Sequence, residues 1–195
     1  MKIQTLIQWS GPLLIIAAIF LVLFGIHRNV NLYVLGGHTS SLLSMLLFVL
    51  SITGVYTAQH QQSGGLGLVA FVLSFIGGLI IFATNLITVA GEKGISGAQA
   101  VIDFYDRTLS LSMISVSGFL GGLFLLGLAT VRAGVLPRWT GIVLSIGAAL
   151  VFVGFVALDP LTLFGFLLIG AALAWMGYVL WSSKGSLESQ SNSAM

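Results

Sequence analysis

The chain contains no cysteine. That excludes structural disulfides, Cys-ligated iron–sulfur clusters and Cys zinc sites. Charge is nearly as scarce. Asp, Glu, Lys and Arg make up 6% of the 195 residues, against roughly a quarter in an ordinary soluble domain. The net charge of +2 is too small to argue for nucleic acid as a partner. What remains is apolar: 57% of the residues are hydrophobic. A small soluble core cannot bury that much apolar surface, so the expected solvent is a lipid bilayer.

The apolar residues fall into six runs, over about 10–26, 40–56, 66–90, 109–131, 139–158 and 161–181. A spanning helix needs roughly 17–25 apolar residues. None of the runs carries Lys, Arg, Asp, Glu or His in its middle. Backbone groups in lipid must pair internally, so the alternatives are helices or a closed barrel. The runs are continuous, without the alternation of barrel strands. The expected fold is therefore all-α, one integral membrane bundle of six transmembrane helices over 1–182, with a disordered cytoplasmic tail at 183–195. Lys2 and the first run mimic a signal peptide. However, no small-x-small cleavage pattern follows Phe24, and Gly25-Ile26-His27-Arg28 stands there instead.

Six crossings put both termini, the gap at 57–65 and the gap at 132–138 on one side. That side holds Lys2, Arg132, Arg138 and Lys184. The other holds Arg28, Lys93 and Arg107. The short basic gap between two spans weighs most, which places both termini in the cytoplasm.

Small residues recur at four-residue spacing: Ala70, Ser74 and Gly78; Gly118 and Gly122; Gly141, Ser145 and Ala149; Gly170 and Ala174. Residues four apart share a helix face, and small ones let membrane helices approach closely. Trp9, Trp139, Trp175 and Trp181 lie near predicted ends, as an aromatic belt does. Pro160 begins the last run, where its missing N–H costs nothing, and Asp159 reads as the N-cap. Two internal matches stand out. Trp9-Ser10-Gly11 resembles Trp139-Thr140-Gly141, and Phe75-Ile76-Gly77-Gly78-Leu79 resembles Phe119-Leu120-Gly121-Gly122-Leu123. One duplication cannot produce both, because the first pair of runs is parallel and the second antiparallel.

Few residues suggest chemistry. Gly65-Leu66-Gly67-Leu68-Val69-Ala70 spells part of a dinucleotide fingerprint but opens a membrane span and follows no strand. His27 and His38 flank the first gap, while His60 lies on the other side. No H-x-x-x-H pair supports a metal. In the longest gap, Ala98, Val101, Ile102, Tyr105 and Leu109 share one helical face. That predicts an amphipathic connector on the outer interface, with Asp103 and Arg107 at i,i+4 spacing. Asn85 is the most polar side chain within any run. It either bonds a neighbouring helix or, with Thr84, Thr88, Ser110, Ser112 and Ser115, lines a polar pocket between the third and fourth spans. Asp103, Asp106, Arg107 and Asp159 would form the outer rim of that pocket.

The segment Arg132-Ala133-Gly134-Val135-Leu136-Pro137-Arg138-Trp139-Thr140-Gly141 precedes two final spans ending Ala174-Trp175-Met176-Gly177-Tyr178. It resembles uncharacterised small polytopic bacterial membrane proteins with a Leu-Pro-Arg-Trp segment before the last helix pair. The resemblance implies a bacterial inner-membrane location and brings no activity, cofactor or catalytic residue with it. The expected function is a non-catalytic accessory or structural subunit of a membrane complex. Its partners would be the bilayer and other membrane subunits or a second copy. The alternative is a small transporter or channel for a small solute or lipid, using the pocket around Asn85.

Overall fold

The computed structural model describes residues 3–30, 37–95, 97, 103, 109–157 and 159–182. The tail at 183–195 lies outside them. Five helices account for nearly all of this: α1 (Ile3–Val30), α2 (Gly37–Glu92), α3 (Leu109–Ala133), α4 (Arg138–Val156) and α5 (Asp159–Ser182). Each contains a stretch long and apolar enough to cross a membrane. The chain is all-α and has the make-up of a multi-pass membrane protein.

Six separate helices were the expectation, and five is the finding. The second and third runs are joined in one element, α2, and the gap expected at 57–65 is helical through Ser63. Only Gly64 leaves helical geometry, at φ 57 and ψ −146. That backbone region is open essentially to glycine. At about 1.5 Å per residue, a straight helix of this length would run far past a hydrocarbon core of about 30 Å. It does not run straight. Tyr56 stacks on Phe71 with centroids 4.7 Å apart, a Cβ at Gly78 would sit 3.2 Å from Val49, and Asn85 Nδ2 reaches Ser41 Oγ at 3.1 Å. Partners therefore recede symmetrically from Gly64, and the arms 37–63 and 65–92 form an antiparallel hairpin.

The helices close into a ring in the order α1, α2, α3, α4, α5 and back to α1. Most seams are antiparallel and held at glycine, whereas the arm 37–63 runs parallel to α3, pairing Phe48 with Phe119 and Gln59 with Thr130. A Cβ on Gly177 would stand 2.6 Å from Gly11 O, and one on Gly77 would stand 2.7 Å from Phe119 N. At the α3–α4 seam a Cβ on Gly141 would meet Gly127 O at 2.5 Å; at the α4–α5 seam one on Gly154 would meet Thr162 N at 2.6 Å. Nothing larger than hydrogen fits at these backbones, which is how helices gain dispersion contact where lipid offers no hydrophobic drive. Of the small residues singled out by spacing, Ala70, Ser74, Gly78, Gly122, Gly141 and Ser145 are buried, whereas Ala149 is exposed.

Leu14, Ile52, Leu123, Leu144 and Ile169, one from each helix, are fully buried and fill the centre. The outside is equally apolar: Ile19, Leu50, Ile76, Leu86, Ile114, Ile146, Val156 and Phe164 all face outward. No charged side chain is buried among the described residues. Such a surface would aggregate in water and suits hydrocarbon. All four tryptophans lie outward at one end of the bundle, where Trp139 contacts Trp175 at 5.2 Å and Trp175 contacts Tyr178 at 5.7 Å. At the opposite end Arg28 sits over the Phe155 ring, 4.0 Å from its centroid.

Candidate functional site

Asn85 lies about two turns before the end of α2, on the buried face of the arm 65–92. Its Nδ2 donates to Ile81 O at 2.8 Å and to Ser41 Oγ at 3.1 Å. Those two bonds fix the amide, so Oδ1 faces His38 Nδ1 at 3.4 Å. In its Nδ1–H tautomer His38 donates to that oxygen. Asn85 thus ties together the two arms of α2, near their open ends. Neighbouring Ser44 donates to Ala17 O at 3.0 Å and extends the same polar layer to α1.

Of the other residues expected around Asn85, Thr84, Thr88, Ser115 and Asp103 have described side chains. Thr84 donates to Ile80 O or Ile81 O, and Thr88 donates to Thr84 O at 3.0 Å. Both hydroxyls are therefore satisfied within their own helix. Ser115 is buried in α3. The side chains of Ser110, Ser112 and Asp159 lie outside the described residues, as do Asp106 and Arg107. Asp103 is described and exposed. The bonds of Asn85 run to the arm 37–63 and to its own helix, so its described partners are within the α2 hairpin.

Sequence reasoning passed over a second polar position. Gln59 was assigned to a gap, yet it is 0% exposed. Its Oε1 accepts from Thr130 Oγ1 at 3.1 Å, which links the arm 37–63 to α3. Its Nε2 has no hydrogen-bond partner among the described residues. A signal existed in the spacing: Phe48, Ile52, Val55, Gln59 and Ser63 fall on one helical stripe, and all five are buried. His60, Gln61 and Gln62 between them are exposed. Ser63 Oγ and Ser74 Oγ also lack a partner among the described residues.

Among the described residues, open clefts lie between neighbouring helices on the outer face. The first, of about 320 Å³, lies between α3 and α4 and is lined by Ser117, Leu120, Gly121, Phe124, Ala149 and Phe152, among others. The second lies between α1 and α5, over Ile19, Val22, Gly170 and Ala174. Gly121 in the first cleft and Gly118 near it are not used for packing against another helix. A Cβ placed at Gly118 or Gly121 meets no atom of another described element within 4 Å.

No family model, curated relative or solved structure matches the chain.

Proposed function

We propose that this chain crosses the bacterial inner membrane six times, with both termini in the cytoplasm, and serves as a non-catalytic accessory subunit of a membrane complex. The two arms of α2 count as separate crossings, since each is close to the length that spans a bilayer. The exposed Arg132 and Arg138 flank the turn after α3, and this basic turn supports the cytoplasmic side for that end.

One observation carries the subunit reading: the α3–α4 cleft. At the seams, Gly11, Gly77, Gly127, Gly141, Gly154 and Gly177 are used up in contacts between the bundle's own helices. Gly121 is not, yet it sits with Ser117 and Ala149 on an outward apolar floor. Small residues left open on a lipid face favour close approach by another transmembrane helix. The partner expected is a transmembrane helix of a second subunit, seated along α3.

The test is isolation from the native membrane with a mild detergent. The wild-type chain should carry one partner in fixed stoichiometry. Gly121→Leu fills the cleft and should lose that partner while its thermal midpoint holds. Recovery of the wild type as a partner-free monomer overturns the proposal, as does undiminished partner recovery with Gly121→Leu.

A further inference from the structure

Gln59 presents a problem that the described residues do not solve with their own atoms. Thr130 has a single hydroxyl hydrogen, and two acceptors lie in reach: Leu126 O at 2.8 Å and Gln59 Oε1 at 3.1 Å. The shorter bond, back to its own helix, is the usual one for threonine. If Thr130 donates to Leu126, its oxygen is left to accept, and Gln59 must turn its amide to place Nε2 there. The amide oxygen then faces the position now held by Nε2, which has no partner among the described residues. In either orientation one end of the Gln59 amide is unmatched: a donor in one, an acceptor in the other. The species that answers both is one that donates and accepts equally well.

The surroundings suit it. Ser63 is one turn along the same stripe, 2% exposed, with its own hydroxyl unmatched among the described residues. Gln59 and Thr130 stand within about two turns of Gly64 and of the turn after α3, so the site lies close to one end of the bundle. Leu136, from that turn, is buried and packs into the core cluster. A buried polar group in contact with hydrocarbon-like packing is costly unless matched, and internal waters typically bind two to four such groups.

We infer that Gln59 and Thr130 hold an internal water molecule between the arm 37–63 and α3, with Ser63 as a further ligand. The water fastens the two elements where direct bonding leaves half an amide over.

Nuclear magnetic resonance on the whole chain in detergent, labelled with ¹⁵N-glutamine, tests this with water itself as the probe. The Gln59 side-chain signal is assigned by its loss in Gln59→Met, or by its shift in Thr130→Val. Its amide protons should show a cross-peak to water; a folded sample with no such cross-peak overturns the inference. Gln59→Met keeps the chain length and removes the amide, and it provides a second reading. A dry, orphaned amide is a burden whose removal raises the melting midpoint, and that rise overturns the inference. A hydrated, bonded amide contributes, and its removal lowers the midpoint by about 2–4 °C for each kcal/mol lost.

Discussion

The clearest physical test of this bundle is a pair of identical substitutions in opposite surroundings. Gly177→Ala places a methyl group 2.6 Å from Gly11 O and 2.9 Å from Ile15 Cγ1, at the seam where α5 closes the ring onto α1. The nearest atom is backbone and cannot rotate away, so the two helices must separate. Overpacking of this kind costs about 1–3 kcal/mol. Gly121→Ala adds the same methyl group where no atom of another described element lies within 4 Å. Both positions are inside helices, so both gain about 1 kcal/mol from alanine's higher helix propensity. That gain cancels in the comparison. Gly121→Ala should be neutral to stabilising. Gly177→Ala should fall below it by about 1–3 kcal/mol, which for a chain of this size is about 2–4 °C per kcal/mol. The assay is thermal unfolding in detergent followed by tryptophan fluorescence, with Trp181 at the affected seam as reporter. Equal midpoints for the two variants would refute the claim that glycine contact holds the seams.

Two further outcomes follow from the hairpin. Gly64→Ala forces a side chain into φ 57, ψ −146, and should destabilise by about 1–3 kcal/mol. Gly65→Ala, whose Cβ meets nothing within 4 Å, should not, so comparable losses for the two in thermal unfolding would contradict the hairpin apex. Asn85→Ala should cost about 0.6–2 kcal/mol by removing its cross-arm bond. Ser41→Ala should reproduce part of that loss, and the double variant should lose less than the two together, because one bond is shared. Strict additivity in a double-mutant cycle would show that the pair does not interact.

The sequence made the helices plain and their inward faces obscure, for one reason. In water a helix declares its buried side by apolar periodicity. In lipid both sides are apolar, and Ile146 facing out reads the same as Leu144 facing in. What survives as a signal is size and polarity. Small residues at four-residue spacing located most of the seams, though Gly118, whose Cβ would meet no other described element, shows that spacing alone does not make a seam. Asn85 was legible because an amide in hydrocarbon must find a partner. That the partners would be Ser41 and His38 was not, because it depends on the register set by Gly64. Gln59 was missed for the opposite reason. It sits in the polar stretch Gln59-His60-Gln61-Gln62, where polarity is expected of a gap and attracts no notice. Only its four-residue spacing from Val55 and Ser63 marks it as belonging to the interior. In a chain of this kind, then, the informative polar residue near a membrane edge is the one that continues a buried stripe. The next place to apply that rule is Ser63 itself: Ser63→Val should stabilise if its hydroxyl is idle, and should lower the melting midpoint if the hydroxyl helps to hold water beside Gln59.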